Sequence, residues 1–499
     1  MNENEEKGIL SNNQVPSYNF NFSPKKKGKK KKRKKKELCC ISQLDFMASR
    51  MNVEQIRKTR CTESYYPPNE INLSCPKKFG FGFGVNLQGE LIGKPQEQDG
   101  HIAVFGGSGT GKTTCIAIPS YHKWQGPIFA LDFKGDLVEY AKKKHGIVLY
   151  LCENEQNWFY VDPFFLLKLG GDNNIISNAR ALAYAIIPLP PNIKDPFWIQ
   201  AAREILTGCI VYFCRLGASF IDTMIYIKTH RISEIVEKIR TDILAAVCIN
   251  PDLLYSEKTI AGISLELHHH ISVFATDPTV QEFFSQSEND NKALLKWDEI
   301  EKCNIIVRID QSRLEQWNPA VRLIITQLIH TLEKRPEKYS QDGANMKPVL
   351  LMLDEFPQLG KMEAIPSALR TIRSKAVTIA IFCQSLADLD ETYGTVTRRA
   401  ILDNCTYKGI LGAYDAETQR YFSDLIGTVL MPKAGSCANF DSDGNPSGYG
   451  INVSENREYI LQPHELAYLS DLILIHPYNG GFCHLQKITR FQKKFEEEN

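Results

Sequence analysis

The run HIAVFGGSGTGKTTCIAIPSYHKW, residues 101–124, constrains this chain more than any other segment. Four apolar residues, Ile102 to Phe105, lead into Gly106, Gly107, Ser108, Gly109, Thr110, Gly111, Lys112 and Thr113, which fit the phosphate-loop pattern GxxxxGK[ST]. A loop this poor in side chains lets main-chain N–H groups converge on phosphate oxygens, and the helix opening at its end turns its positive dipole end to the same charge. Lys112 is expected to reach the β- and γ-phosphates, Thr113 to offer its hydroxyl to Mg2+, and Thr114 to extend the nucleotide-binding run. A mere glycine turn would lack the strand before and the helix after. The reading is therefore a nucleotide site for ATP and Mg2+, fed by a core strand that holds the loop rigid.

The surroundings suit such a site. FGFGVNLQGELIG from Phe79 alternates like a hairpin, and PIFALDFKGDLVEYAKKK repeats strand, turn and helix, which argues for a parallel sheet. CNIIVRID (303–310), VLLMLDEF (349–356), VTIAIFCQS (377–385) and TYKGILGAY (406–414) read as further strands, the first three near-continuously apolar as strands covered on both faces are. Between about Pro196 and Lys302 the three- and four-residue apolar spacing predicts an all-helical insertion, with its His268–His270 run on a solvated face. Gly435 to Asn452 reads as a long polar loop. The expected division is a tail over 1–75, a first motor part over 76–195, the all-α insertion over 196–302 and a second motor part over 303–499.

Charge separates the tail from the body. Through Glu37 the chain has twelve Lys/Arg against four Asp/Glu, a net of +8 within a total of +1, which leaves the rest at −7. Eleven of the twelve residues 25–36 are basic, and such a block repels itself and stays solvated. It is read as a disordered arm attracted to polyanions, with an anionic membrane surface or DNA phosphates as its sharper targets. The mildly acidic body offers no global case for nucleic acid, so any DNA binding is expected to be sequence-independent and salt-sensitive. No uncharged apolar run approaches the ~18 residues of a membrane span, and no signal-like stretch opens the chain. Fourteen scattered cysteines without a CxxC pair fit a reduced compartment.

Hydrolysis needs a second half of the site. Leu350 to Glu355, LLMLDE, is an apolar strand ending in two carboxylates: Asp354 is expected to serve the metal and Glu355 to polarise the attacking water. Gln384 ends the next strand, where ligands of such sheets sit, and is expected to bridge the γ-phosphate or the lytic water to the rest of the subunit. Arg370 and Arg373 lie between those strands; either is a candidate arginine finger for a neighbouring subunit's nucleotide, with surface salt bridging the alternative. Asp132 and Lys134 follow the second strand, either near phosphate and metal or as an ordinary strand-to-helix turn.

GGSGTGKTT, LDFKGDL, LMLDEFPQLGKMEAIPSALRTIRS, IFCQSLADLDETYG, ILDNCTYKGILGAYDAETQRYFSDLIG and REYILQPHEL fall in the order of motifs that resembles the TraG/TraD-like coupling proteins of type IV secretion and conjugation, over roughly residues 76–480. The resemblance implies an α/β fold: a RecA-like P-loop NTPase with a mostly parallel sheet, interrupted by an all-α domain. It also implies a homo-hexameric ring with ATP between subunits, at the cytoplasmic face of the bacterial inner membrane. The implied partners are type IV secretion channel subunits and a relaxase–DNA complex or effector proteins. Carried over, Lys112 and Thr113 bind nucleotide, Asp354 and Glu355 serve metal and water, Gln384 senses the γ-phosphate, and Arg373 matches the family's arginine between the motor strands. Two features depart from the family: a lysine block stands where transmembrane helices are usual, and TIRSKAV lacks the glycines often found around the arginine. The expected function is an ATPase coupling protein driving cargo into a secretion channel. A cytosolic FtsK/HerA-like DNA pump and an ATP-binding receptor scaffold with little turnover are the alternatives.

Overall fold

Residues buried on both faces of a sheet need no polar alternation, and the apolar runs above do form such a sheet. The computed structural model describes residues 79–488 apart from 87–88, 145, 170, 191–192, 255, 287–290, 344, 441–445 and 477–480. The expected disordered tail, residues 1–75, lies outside the described residues. In chain order the strands are β1 (Phe79–Val85), β2 (Leu91–Pro95), β3 (Ile102–Phe105), β4 (Ile128–Asp132), β5 (Ile147–Leu151), β6 (Phe159–Tyr160), β7 (Ala293–Leu294) and β8 (Ile305–Ile309). They continue with β9 (Val349–Leu353), β10 (Val377–Cys383), β11 (Tyr407–Ile410), β12 (Thr428–Phe440), β13 (Pro446–Tyr459), β14 (Leu472–His476) and β15 (Gly481–Leu485).

Nine of them make the main sheet in the order β15-β14-β11-β3-β10-β9-β4-β8-β5. From β11 to β5 the strands are parallel, and β14 and β15 close the other side as an antiparallel hairpin. Because strand side chains alternate between faces, each strand feeds two cores. Ala103, Phe105, Phe129, Leu131, Leu351, Leu353, Ile379 and Ile381 enter one, which runs without a break into Leu206 and Phe274 of the helical region. Ile102, Val104, Ile128, Ala130, Leu350, Met352, Ala380 and Phe382 enter the other, beneath Phe81 and Phe83 of the β1–β2 hairpin. Full burial of each large aliphatic or aromatic side chain contributes about 1.5–3 kcal/mol, so the strands that carry the site are firmly held.

Several features depart from the sequence reading. Helices begin at Phe165, ahead of 196: Phe165–Leu169 and Gly171–Ile186 precede Phe197–Arg215, Phe220–Thr229, Ile232–Ile239, Ile243–Ala246, Glu257–Thr276 and Pro278–Phe284. The region closes on a parallel bridge, Phe159–Tyr160 against Ala293–Leu294, so it is not helical throughout. Gly435 to Asn452 is no loop: β12 and β13 pair antiparallel from Thr428↔Tyr459 to Phe440↔Pro446. Its glycines and asparagines dominate the composition, while Val429, Tyr449, Ile451, Val453 and Tyr459 supply β-formers on both sides of the Asp441–Asn445 run. The histidines are not a solvated face: His268 Nε2 lies 3.1 Å from Ile227 O and His270 Nε2 lies 3.0 Å from Glu266 Oε1, both rings half-buried, with His269 alone exposed. Finally, β5, β14 and β15 join the sheet although the sequence reading did not pick them out.

Candidate nucleotide site

A parallel sheet gathers its strand C-termini along one edge, and the site lies there. β3 sits between β11 and β10, with β9 beyond β10. Phe105 of β3 is in register with Cys383 of β10, and Leu353 of β9 with Ile381 of β10. Gly106, Asp354, Glu355 and Gln384 therefore leave the sheet along the same edge, three strands wide. Gly106 N donates to Cys383 O at 3.1 Å, which fixes the start of the loop to the end of β10.

The loop is shaped by backbone that only glycine adopts cheaply. Gly111 has φ 101° and stands at the N-cap of Lys112–Ala117, a turn wound as a π-helix that continues as the α-helix Ile118–Lys123. Interruptions of this kind are frequent at functional sites. Lys112 is buried; its ammonium donates to Gly106 O at 2.7 Å and lies 3.9 Å from Glu355 Oε1. It thus bends back over the loop, at the place where phosphate oxygens can replace the carbonyl. Thr110 Oγ1 donates to Gly107 O at 2.8 Å and closes the loop on itself.

Asp354 and Glu355 divide the work of the opposite wall. Thr113 Oγ1 donates to Asp354 Oδ2 at 3.3 Å, and Glu355 N donates to Asp354 Oδ1 at 3.0 Å. Glu355 has φ 43°, a left-handed conformation that costs a non-glycine residue on the order of 1–3 kcal/mol and clusters at functional sites. The turn breaks the strand's alternation, so the Glu355 carboxylate joins the loop side: it accepts from Gln384 Nε2 at 2.9 Å. Burial, with Glu355 alongside, pushes the Asp354 carboxyl up to about 6. A carboxylate pair with a hydroxyl 3.3 Å from Asp354 and only oxygen donors suits a hard divalent cation such as Mg2+.

Lys134 and Asp136 complete the lining of the cavity around Gly107–Thr114. Asp132 does not enter it: its carboxylate accepts from the N–H groups of Lys134, Gly135, Leu137 and Val138 at 3.1, 2.7, 2.8 and 3.2 Å. Of the two readings for that residue, the strand-to-helix turn holds, and it positions Lys134. A second cavity of about 500 Å³ opens on the other side of Glu355 and Gln384, lined also by Pro188, Pro190 and Asp388. Arg370 and Arg373 are elsewhere. They precede β10, at the N-terminal edge of the sheet, about 20 Å from Gln384 along seven strand residues. Both are exposed, and their place at the opposite edge puts them out of reach of the nucleotide of their own chain. Asp136 and Tyr414 border the site although the sequence reading did not weigh them; only the sheet order brings Tyr414, after β11, beside the loop.

Similar proteins place this arrangement. The fold matches the bacterial conjugative coupling protein TrwB, with a TM-score of 0.63 and 14% identity, over 84% of this chain and 92% of that one. TrwB structures include complexes with ADP and Mg2+ and with a non-hydrolysable ATP analogue. The chain therefore shares the fold of TrwB. In sequence it is 25% identical to VirD4 of Rhizobium radiobacter over 387 residues, 74% of this chain and 54% of that protein. It is 22% identical to the conjugal transfer protein TraG of Escherichia coli over 386 residues, 69% of this chain and 59% of that one. It thus spans a little over half the length of these curated relatives. Among the described residues no helix is long and apolar enough to cross a membrane. Residues 49–478 match the family described as type IV secretory system conjugative DNA transfer, and the chain belongs to that family.

Proposed function

We propose that the chain is an ATP-hydrolysing coupling motor that recruits relaxase-bound DNA, or effector protein, and drives it into a type IV secretion channel. One observation carries the reading: the Glu355 carboxylate is held by Gln384 at 2.9 Å and lies 3.9 Å from Lys112, across from the phosphate loop. A carboxylate so placed takes a proton from the water that attacks the γ-phosphate, while Gln384 fixes its orientation. Lys112 leaves Gly106 O for the β- and γ-phosphate oxygens, and the N–H groups from Gly107 to Thr114 cradle the remainder. Thr113 and Asp354 would hold Mg2+, which neutralises charge on the phosphoryl group being transferred. ATP and Mg2+ are supported by the ligands described for TrwB.

In this reading the motor parts and the helical insertion act in a homo-hexameric ring. Arg373, with Arg370 the alternative, reaches a neighbouring subunit's nucleotide, and the cavity beside Gln384 gives it room. The basic block 25–36 holds the chain to DNA phosphates or to an anionic inner-membrane surface, and channel subunits dock against the ring.

ATP turnover by the full chain, with and without single-stranded and duplex DNA, is the test. Expected is DNA-stimulated hydrolysis that falls at least a hundredfold in Glu355→Gln, the scale of a lost general base, with ATP still bound. Binding of ATP and effector protein without turnover would replace the motor by a receptor scaffold. DNA pumping with no response to channel components would replace it by a cytosolic FtsK/HerA-like pump.

A further inference from the structure

Three strands around the phosphate loop end level. Phe105 of β3 is in register with Cys383 of β10 on one side and with Ile410 of β11 on the other. Apart from Lys112 of the loop itself, the groups suited to the γ-phosphate lie on the β10 side: Gln384 follows β10, and Asp354 and Glu355 follow β9 beyond it. A triphosphate with its γ end there must lead its nucleoside the opposite way, toward the end of β11.

Tyr414 stands on that side, four residues beyond β11. Its ring lies so close over the loop that a Cβ at Gly107 would fall 2.4 Å from Cε2 and 2.8 Å from Cδ2, which no other residue type at 107 accommodates without displacing it. The side chain is nevertheless 69% exposed. Its backbone is fixed from both directions. Leu411 N donates to Phe105 O at 2.8 Å, Ala413 N to Leu466 O at 3.0 Å, and Gln419 Nε2 to Ala413 O at 3.0 Å. Asp415 then caps the helix Ala416–Ile426, accepting from Thr418 N at 2.8 Å. The chain thus presents an aromatic ring to solvent on a rigid mount, at the rim of a phosphate site.

We propose that Tyr414 is the base platform of this site: its ring stacks on the base of the nucleoside triphosphate whose phosphates the loop from Gly106 to Thr113 holds. The proposal rests on the nucleotide reading above and adds how the nucleoside is held. An aromatic ring with two side-chain torsions loses little freedom on stacking, and every base offers it a π-face. Stacking reads area rather than base edges, so Tyr414 favours purine over pyrimidine triphosphates and separates ATP from GTP poorly.

Calorimetric titration of the full chain with Mg-ATP and with Mg-tripolyphosphate, which has no base, tests this. Tyr414→Ala is expected to weaken ATP about tenfold, the scale of one lost base–aromatic stack, and to leave tripolyphosphate unchanged. Tyr414→Phe keeps the platform and is expected to bind ATP within about twofold of the unaltered chain. Tyr414→Trp is expected to lose indole fluorescence with ATP and not with tripolyphosphate. ATP affinity unmoved in Tyr414→Ala overturns the proposal. So does equal weakening of both ligands, which would make the ring only a prop for Gly107. An unaltered chain that binds neither ligand overturns the nucleotide reading itself.

Discussion

The phosphate-loop end of the parallel sheet and its N-terminal edge handle charge in opposite ways. At the C-terminal edge, Lys112, Asp354, Glu355 and Gln384 bond mainly to one another and to a loop, in bonds that a ligand can replace. At the N-terminal edge, cations are committed to the fold. Arg335, buried, donates to Lys347 O at 2.7 Å and Lys375 O at 3.0 Å and pairs with Glu301 at 2.9 Å. Lys408 donates to Cys405 O at 2.6 Å, and Lys144 to Tyr121 O and His122 O at 2.9 Å each. Lys94, wholly buried, donates to Gln98 O and is drawn down to about 7 by desolvation. The asymmetry follows from parallel strands. One edge collects strand ends and helix N-termini, a place for anions, and the other collects helix C-termini, whose orphan carbonyls take lysine and arginine. Arg370 and Arg373 break the pattern: at the second edge they have, among the described residues, no such commitments.

The largest expected effect tests that exception. Arg373→Ala is expected to lower ATP turnover of the assembled protein about a thousandfold, the lower end for an arginine finger, with its melting temperature unchanged, as for an exposed residue outside any network. Mixing Arg373→Ala with Glu355→Gln subunits is expected to restore part of the activity, because some interfaces then combine an intact Glu355 with an intact Arg373. Undiminished turnover in the single variant would return Arg373 to the surface, and loss without recovery on mixing would exclude action across subunits.

Arg335 should behave the other way. Its guanidinium ties the turn Arg373–Lys375 to the body, and Ala376, left-handed at φ 55°, follows directly. Arg335→Met leaves Lys347 O and Lys375 O without their donor, and chemical denaturation is expected to show a loss of about 3 kcal/mol. ATP affinity should be unaltered, since nothing at the nucleotide edge depends on it. A variant as stable as the unaltered chain would mean that the two edges do not differ as described.

What sequence could reveal tracks the same division. The loop Gly106–Thr113, the Asp354–Glu355 pair and Gln384 were legible because each follows a short apolar run, and local pattern determines both strand and ligand-bearing end. The placement of Arg373 on the far edge needed strand directions, and the approach of Tyr414 to Gly107 needed β11 to be beside β3, a pairing of residues some 300 apart in sequence. β14, LILIH, is as continuously apolar as the strands that were legible, and it lies inside the sheet between β11 and β15; only the edge strand β15, GFCHL, has a weak signal of its own. The β12–β13 hairpin was hidden for another reason: glycine and asparagine inside the strands as well as between them mask the β-formers. At Asp132 the sequence supplied both answers, and only the four N–H groups on its carboxylate chose between them.

The smallest expected effect concerns His101, just before β3 at the committed edge. The ring is fully buried and its Nδ1 accepts from Ile379 N at 3.0 Å, which requires that nitrogen unprotonated. Burial, with Lys94 nearby, holds its pKa down to about 3, against 6.5 in an unfolded chain. As pH falls below about 6.5 the unfolded chain gains a proton that the folded ring refuses until about 3, so stability from this residue is lost across that window. The slope approaches about 1.4 kcal/mol per pH unit, which gives a loss of about 2 kcal/mol by pH 5. His101→Asn keeps an acceptor for Ile379 N and removes the titrating ring. Urea denaturation between pH 7 and 5 is therefore expected to give a flatter profile for the variant than for the unaltered chain. Parallel profiles would mean that acid sensitivity arises elsewhere, at the carboxylates of the nucleotide edge rather than beneath the loop's own strand.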